Sequence, residues 1–398
     1  MNKKISLGAA IAFMAILAGI TFCITMMVSL NHFNEKVLNV KAREEMYKKL
    51  SDVDRNARQN FSGTINEEVL ADSLSAGYIR GLGDKYSSYL TKDEYEQKML
   101  ELSGKLVQIG VTVQKDQTGY AKITKIMKGS PAEQAGMIVG DLIVSIGDAD
   151  LKAVTLVNIE RLLKGEVGTK LNVVYRRDGV DTQKDIQRKD IEIKYVEYRL
   201  MGANGYIKII GFNDKTYNQF KNAVDDLVRQ GADAFVFDLR NNNSDSIEAA
   251  NSMLNMLLPA GELGTKKNNA GEITSLGSSD KYELALPMAT IINGKTGNAA
   301  EYFVAVLRDF KKATSTGTIS FGKAVIQKIF QINDGSAINI TTEHFLPPSG
   351  AEINGVGIKP DYEVKLTPEQ EQGAELLTDE TDPQIQKAIE IVNSKKEA

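Results

Sequence analysis

The chain has 398 residues, 42% of them hydrophobic and 25% charged, with a formal net charge of -4. This composition predicts a globular protein with more than one hydrophobic core and excludes a disordered tail. Because 48 basic residues are balanced by 52 acidic ones, nucleic acid is not an expected partner. One cysteine and two histidines exclude a disulfide framework and predict no metal site and no other cofactor. Only His344 lies in the globular part, which also disfavours a Ser-His-Asp hydrolase.

The amino terminus predicts a membrane anchor in residues 1–30. Residues 5–30 contain no acidic or basic side chain and exceed the roughly 20 residues that span a bilayer as a helix. Signal-peptide cores are shorter, about 7 to 15 residues, which favours an uncleaved signal anchor. Lys3 and Lys4 precede the run and predict that this short end stays in the cytoplasm. The protein is therefore expected to cross the cell membrane once, with its globular part outside the cytoplasm.

Residues 31–104 are predicted to form a helical neck and cap. Leu70, Leu74, Ile79 and Leu82 recur mostly at three- and four-residue steps, which is the spacing of one helix face. Thr91 followed by Glu94 has the form of a capping box and predicts the start of another helix.

Short strands separated by glycine turns are predicted between residues 105 and 195. Four segments rich in β-branched side chains carry this pattern, namely residues 110–113, 121–126, 141–146 and 171–175. Two short helices are predicted between them, at residues 130–136 and 157–163. Together with the stretch from Gly129 to Asp141, this layout resembles a PDZ domain.

The resemblance implies that an extended peptide pairs with a sheet edge while the amides of a loop bind its terminal carboxylate. Val107, Gln108, Ile109 and Gly110 stand where that loop belongs, and Gly110 permits close approach of the backbone. The alternative is a small β-domain that only packs against its neighbours.

From residue 205 the chain alternates strands and helices. Strands are predicted at residues 206–210, 234–239 and 287–292, a further strand after a turn at Gly317, and a hairpin around residues 333–335. The faces of two helices are marked by apolar residues at helical spacing, namely Phe220, Val224, Leu227 and Val228 in the first and Tyr302, Phe303, Val306, Leu307 and Phe310 in the second. The pattern predicts a mixed α/β core containing a βαβ unit.

A set of short motifs along the chain is similar to that of the carboxyl-terminal processing peptidases, also called tail-specific proteases. The motifs are residues 84–90, the PDZ-like stretch, Asp238-Leu239-Arg240-Asn241-Asn242, Phe321-Gly322-Lys323, residues 334–337, Pro348-Ser349-Gly350 and residues 357–361. The resemblance implies an α/β fold in which a PDZ domain is inserted before a peptidase-like core. The predicted parts are 1–30 transmembrane helix, 31–104 helical neck and cap, 105–195 PDZ domain, 196–365 peptidase-like core and 366–398 helical tail.

The resemblance implies an enzyme that cleaves proteins near their carboxyl ends. It also implies that the catalytic groups are a Ser-Lys pair supported by a Gln. A serine hydroxyl needs a base, and a lysine amine serves as one only where burial lowers its pKa. By resemblance the lysine is Lys323 and the glutamine is Gln327. An even spacing in a strand would place both side chains on one face, where Gln327 orients the amine. The alternative for Lys323 is an exposed lysine on an edge strand.

The family pattern fails at the nucleophile. The serine position is occupied by Asn298, whose side-chain oxygen is expected instead to cap the following helix. The family's Pro-Gly-Gly, which helps to build the oxyanion hole, is replaced by Asn243-Ser244-Asp245. Asp245 would bring negative charge close to a developing oxyanion.

These two losses predict a pseudo-peptidase that binds the carboxyl-terminal tails of proteins without cleaving them. An active relative or a second copy of the chain is a further candidate partner. The alternative is an active serine-type hydrolase with a relocated hydroxyl. Thr296 is the nearest such group, and Ser315, Ser320 and Ser244 are more remote.

Overall fold

The computed structural model describes residues 7–102, 105–280 and 283–396. It divides into two compact units, residues 1–74 and residues 75–398. Lys3 and Lys4, which carry the orientation prediction, and Ile5 of the apolar run lie outside the described residues.

The first unit is dominated by one long helix, α1 (Leu7–Asn60). Residues Ile11–Leu30 of α1 have a mean hydropathy of 2.4 and are long and apolar enough to cross a membrane, a property they share with signal sequences. The sequence predicts that the membrane span ends and the neck begins at residue 31. Helix α1 continues through this position without a break. Helix α2 (Glu67–Arg80) follows, and Arg58 donates to both carboxylate oxygens of Glu67 at 2.6 and 2.8 Å.

The second unit contains a short strand, β1 (Ser88–Leu90), and then α3 (Lys92–Leu102). The predicted capping box at the start of α3 is confirmed, since the N–H of Thr91 donates to Glu94 and the N–H of Glu94 donates to the Thr91 hydroxyl. Strand β1 was not expected from the sequence. It exists because it pairs with a strand far along the chain, at Ser88 with Asn339.

The next segment is a small β-domain of the expected layout. Its elements are β2 (Lys105–Gln108), β3 (Val111–Lys115), β4 (Ala121–Ile126), α4 (Pro131–Gln134), β5 (Leu142–Ile146), β6 (Ala149–Asp150), α5 (Leu156–Leu163), β7 (Lys170–Arg177), β8 (Val180–Gln187) and β9 (Lys189–Glu192). The main sheet has the order β3-β4-β5-β7-β8, and β2 pairs with β9. Strand β3 is therefore an edge strand of this sheet.

The remaining elements form the core and the carboxyl-terminal tail. They are β10 (Val196–Met201), β11 (Asn204–Ile209), α6 (Thr216–Arg229), β12 (Ala234–Asp238), α7 (Ile247–Leu257), β13 (Gly261–Glu262), β14 (Thr265–Asn268), β15 (Ile273–Ser275), β16 (Ser278–Ser279), β17 (Met288–Ile292), α8 (Ala299–Asp309), β18 (Ala313–Gly317), β19 (Val325–Gln331), β20 (Ala337–Leu346), β21 (Tyr362–Glu363), α9 (Pro368–Gln372) and α10 (Pro383–Lys396). The expected α/β class is confirmed.

The core sheet has the order β10-β11-β12-β17-β18-β21, parallel from β11 onward. Strands β12 and β17 are buried on both faces, which explains their nearly continuous apolar sequences. Phe235 and Phe237 of β12 pack in the cluster that contains α6, α7 and α8. Ala234 and Val236 face the other way, toward the apolar stripe of α10. Helices thus cover the sheet on both faces.

Two sequence expectations about strands are wrong. Strand β18 runs up to Gly317 instead of starting after it, because its residues continue the parallel ladder from β17. Lys323 does not lie in a strand, since β19 begins at Val325. The predicted hairpin is present between β19 and β20, and these two strands belong to a second sheet of order β1-β20-β14-β15.

Candidate functional site

The candidate site lies where two parallel core strands end. The carboxyl ends of β12 and β17 meet at one sheet edge, with Asp238 in register with Ile291. The loop after β12 contacts the turn after β17, because the N–H of Gly297 donates to the Asn242 carbonyl at 2.8 Å and the N–H of Ala299 donates to the Ser244 carbonyl at 3.0 Å.

The side chain of Asn243 also lies against Gly297. A Cβ built on Gly297 would lie 2.3 Å from Oδ1 of Asn243. The loop of residues 242–245 is therefore held directly against the turn that leads into α8.

Asn298 stands at the end of that turn and has an unusual backbone conformation. Its φ is 49° and its ψ is -112°, and the residue is fully buried. Positive φ is uncommon for a residue with a side chain and persists where the surrounding structure enforces it. A sharp, strained strand-to-helix turn is the geometry that presents the nucleophile in α/β-hydrolases. In this chain the same kind of turn presents an amide.

The Asn298 side chain does not cap α8 in the expected way. Its Nδ2 donates to Oδ1 of Asp245 at 2.7 Å, whereas its own Oδ1 is buried without a hydrogen-bond partner among the described residues. The opposite amide orientation would turn Oδ1 toward the carboxylate, which is unfavourable. The expectation that the Asn298 oxygen accepts an N–H of the first turn is therefore wrong, because Asp245 holds the amide by its nitrogen.

Asp245 also binds the lysine of the candidate site. Nζ of Lys323 donates to the same Oδ1 at 2.7 Å, and the Lys323 side chain is only 10% exposed. Burial by itself would raise the pKa of Asp245, but the Lys323 ammonium and the Asn298 amide together hold it below its usual range. Nζ of Lys98 in α3 lies 3.7 Å from the other oxygen, Oδ2. Asp245 thus bridges the side chains of Asn298 and Lys323.

Gln327 does not orient Lys323 as the sequence spacing suggested. The two residues do not share one regular strand, and β19 has an irregularity between Ile326 and Gln327. Nε2 of Gln327 donates instead to the carbonyl of Tyr86 at 2.8 Å. Tyr86 in turn faces the lysine, with its ring centroid 5.5 Å from Nζ of Lys323 and its hydroxyl donating to the Gly322 carbonyl at 3.0 Å. Gln327 is therefore connected to the lysine segment through the backbone of Tyr86.

Glu301 in the first turn of α8 holds the backbone of the site together. Its carboxylate accepts the N–H of Asn298 at 3.1 Å, of Gly322 at 2.7 Å and of Lys323 at 2.8 Å, and also the hydroxyl of Ser320. The side chain is fully buried, and this burial raises the pKa of Glu301 although its four donors act in the opposite direction. Glu301 fixes the lysine segment against the start of α8.

The hydroxyls considered as relocated nucleophiles are engaged in other bonds. Thr296 is fully buried, donates to the Leu239 carbonyl at 2.9 Å and accepts the N–H of Asn293 at 3.0 Å. The remaining hydroxyls also donate to protein oxygens: Ser315 to Asp361, Ser320 to Glu301 and Ser244 to Asn242. The Thr296 hydroxyl is therefore buried in the turn, which it stabilises, and is not exposed to solvent.

A cleft of about 300 Å³ opens over Asp245. Its lining comes from α3, from the loop after β12 and from the β19–β20 hairpin: Tyr95, Lys98, Met99, Leu102, Asp245, Gln327, Ile329 and Asn339.

The predicted peptide-binding residues lie in the small β-domain. The carbonyl of Ile109 accepts the N–H of Ala132 at 2.8 Å and that of Gly110 accepts the N–H of Met127 at 2.9 Å. Because peptide units are trans, the N–H groups of Gly110 and Val111 point away from these partners. Val107, Gln108 and Ile109 are themselves buried. The backbone amides after Ile109, and not these side chains, are the groups suited to bind a carboxylate.

Gly110 has a φ of 88°, and a Cβ there would lie 2.2 Å from Cβ of Ser130. The position therefore needs glycine both for its backbone conformation and for space. Helix α5 contacts edge strand β3, and an edge strand is the element to which an extended peptide can be added.

Sequence reasoning missed the roles of Glu301 and Tyr86. Glu301 stands three residues after Asn298, which is the capping-box spacing, so a signal for its bond to the Asn298 N–H was present. Its bonds to Gly322 and Lys323 had no local signal. Tyr86 belongs to a motif that was recognised but to which no chemistry was assigned.

Comparison with known proteins is consistent with this arrangement. Residues 203–364 match the family profile "Peptidase family S41", and residues 122–177 match "PDZ domain". A Staphylococcus aureus (strain MRSA252) protein named "Probable CtpA-like serine protease" is 29% identical over 359 residues, covering 88% of this chain and 72% of that protein.

Two solved structures are also similar. An S41 protease structure from Bacteroides fragilis NCTC 9343 has a TM-score of 0.51 and 18% identity, covering 80% of this chain and 90% of that chain, and it shows the same fold. A photosystem II D1 C-terminal processing protease is 24% identical with a TM-score of 0.48, covering 77% of this chain and 84% of that chain.

The substitution Glu301→Gln tests whether Glu301 holds the site together. Its amide would place an N–H₂ group against backbone N–H donors, so we expect the free energy of unfolding to fall by about 2 to 4 kcal/mol. The measurement is denaturant unfolding of the full chain. Glu248→Gln, at an exposed position in the first turn of α7, is the matched control and should change stability by less than about 0.5 kcal/mol. An equal effect of the two substitutions would contradict the assignment.

Proposed function

We propose that this chain, whose residues 203–364 match the S41 peptidase family and whose residues 122–177 match a PDZ domain, is a non-cleaving member of the carboxyl-terminal processing peptidases. In this proposal it is a membrane-anchored protein that binds the carboxyl-terminal tails of other proteins through its PDZ domain. The observation that carries the proposal is the amide of Asn298 at the strained turn, bonded to Asp245.

The catalytic part of the proposal rests on chemistry at three positions. An amide side chain cannot form the acyl intermediate that a serine hydroxyl forms. Asp245 stands where the family resemblance expects a glycine that helps to bind the oxyanion, and a carboxylate there opposes the developing negative charge. Lys323, the base expected by resemblance, is bonded to that carboxylate. All three features act against acyl transfer.

A relocated nucleophile has little support from the geometry. The Thr296 hydroxyl donates to the Leu239 carbonyl inside the protein, so it would have to leave that bond and its buried position to reach a substrate. Productive geometry tolerates displacements of about 0.5 Å. Activity through Thr296 is therefore not the proposed function. Labelling of the full-length protein with a fluorophosphonate would detect such activity.

The binding part of the proposal rests on the edge strand of the PDZ domain. Edge strand β3 can pair with an extended peptide, and the N–H groups of Gly110 and Val111 are the groups that we expect to bind its terminal carboxylate. A free carboxyl end is thus the feature of the partner that this geometry recognises. An active relative or a second copy of this chain would be recognised by the same rule if its tail is free.

The membrane part of the proposal rests on α1. Residues Ile11–Leu30 are all exposed and carry no charged side chain. Such a surface is stable in hydrocarbon and unfavourable in water. Lys3 and Lys4 would keep the short end in the cytoplasm and place residues 75–398 outside it.

The first prediction concerns cleavage. The full-length protein should neither react with a fluorophosphonate probe nor cut an unstructured reporter with an apolar tail, with turnover at least about 10⁶-fold below an active member of the family. The S. aureus relative assayed in parallel is the positive control. Labelling and cleavage by the wild type, both lost on Thr296→Val, would refute the proposal.

The second prediction concerns tail binding. A peptide with a free carboxyl end should bind at least about tenfold more tightly than the same peptide with an amidated end, because the loop amides lose a charged acceptor. The measurement is fluorescence anisotropy with both peptides. Gly110→Ala should abolish binding, since its Cβ would meet Ser130. Gly179→Ala is the matched control, because Gly179 also has positive φ but has open space around it. Equal affinities for the two peptides would argue against carboxylate binding.

The third prediction concerns the anchor. Cys23 is the single cysteine, so a Cys23→Ser background allows topology to be mapped with single introduced cysteines. Ser51→Cys should react with a membrane-impermeant maleimide on intact cells, whereas Asn2→Cys should react only after lysis. The reverse labelling pattern, or release of the protein by alkaline carbonate, would contradict a single-pass anchor with an external globular part.

A further inference from the structure

The carboxylate of Asp245 makes contacts that a damaged oxyanion loop does not require. Its Oδ1 accepts both the Lys323 ammonium and the Asn298 amide at 2.7 Å, and its Oδ2 faces Lys98 at 3.7 Å. The Asp245 side chain is 26% exposed, so a carboxylate without a role in the site would be free to turn toward solvent. Instead it points inward to the two groups that stand at the nucleophile and base positions.

The surrounding frame is otherwise built as a nucleophile site. The turn at position 298 has a strained positive φ, the N–H of Gly297 is bonded to the Asn242 carbonyl, and Glu301 fixes the backbone of Lys323. Backbone strain of this kind costs about 1 to 3 kcal/mol and is found mainly at functional sites. The backbone of the site thus holds Lys323 close to the turn at position 298. The site differs from the family pattern in its side chains.

We infer that Asp245 is a second block on catalysis, in addition to Asn298, which acts by binding the side-chain nitrogen of Lys323 to its own carboxylate. This inference rests on the proposed function and extends it to the regulation of the same site. Asp245 is a positioning residue, since it acts through Lys323. The two replacements are matched, because the carboxylate satisfies the Asn298 amide and the lysine neutralises the carboxylate.

The chemistry explains why one substitution is insufficient. A base must accept the proton of the attacking hydroxyl, and an ammonium has no lone pair with which to do so. With a fluorophosphonate, the serine Oγ–P bond forms, the P–F bond breaks, fluoride leaves and the hydroxyl proton passes to the lysine amine. A serine introduced at position 298 would therefore remain unreactive as long as Nζ of Lys323 is bonded to Asp245.

The first measurement reads the lysine directly and does not depend on activity. Lys323 in the full-length protein is modified with an amine-reactive ester at pH 8, and the modified site is mapped by mass spectrometry. Asp245→Asn should raise the modification rate of Lys323 by about tenfold, because it removes the charged partner that holds Nζ in a charge-assisted hydrogen bond. Asp245→Glu, which keeps the charge, should leave the rate close to that of the wild type.

A matched control comes from a second ion pair of the core. Glu343→Gln removes the carboxylate that faces Lys266 at 3.1 Å, and it should raise the reactivity of Lys266 but not that of Lys323. If Asp245→Asn leaves the rate at Lys323 unchanged, or if Glu343→Gln raises it equally, the inference is wrong.

The second measurement reads nucleophilic chemistry in Asn298→Ser backgrounds. Asn298→Ser alone should stay unlabelled by the fluorophosphonate, and adding Asp245→Asn or Asp245→Gly should raise the labelling rate by at least about 10²-fold, the contribution typical of a general base. Asn and Gly are both tested so that a folding defect in one does not hide the result, and thermal unfolding identifies such a defect.

The failure of this inference is distinguishable from failure of the proposed function. If Asn298→Ser alone is labelled as fast as either double variant, Asp245 is not a block, while the wild type remains a non-cleaving protein. If the wild type itself is labelled or cleaves the reporter, the proposed function fails whatever Asp245 does.

Discussion

The carboxylate of Asp245 is the constraint on which the candidate site depends. It lies at the end of the loop after β12, accepts an amide from the turn after β17 and accepts the ammonium of Lys323 from the segment before β19. Three stretches of chain that are distant in sequence therefore converge on one oxygen atom. A half-buried carboxylate is stable only when such donors compensate its lost hydration. Neither Asn298 nor Lys323 has an equivalent alternative partner among the contacts that the described residues make.

Fold and chemistry separate clearly in this molecule. The candidate site is framed by the strained turn at position 298 and by the buried carboxylate of Glu301. The contact between that turn and the loop after β12 is made by backbone groups where two parallel strands end, whereas Glu301 acts through its side chain. The chemistry of the site depends on single side chains. At this position the side chains of Asp245 and Lys323 form an ion pair inside an S41-like fold.

Sequence reasoning recovered the parts of the fold that local pattern governs. Strands β12 and β17 were found because both of their faces are buried and their sequences are almost wholly apolar. The start of α3 was predicted correctly because a capping box involves only four consecutive residues. Strand β1 was missed because it exists only through pairing with β20, and the strand ending at Gly317 was displaced because its ladder is made with β17 and β21. Gln327 was misassigned because even spacing has meaning only inside a regular strand, and Lys323 lies outside β19.

The sequence by itself determined that position 298 carries an amide and position 245 a carboxylate, that one apolar segment precedes the globular part, and in which order the PDZ and S41 segments occur. These properties concern only which residue stands at each position and in which order the segments follow, and the amino-acid sequence specifies both. Only the tertiary structure decided that Asp245 bonds Lys323 and Asn298, that the Asn298 oxygen is left without a partner, and that Tyr86 faces the lysine. Such pairings join residues up to hundreds of positions apart. They depend on where loops end in space, and no local spacing encodes that.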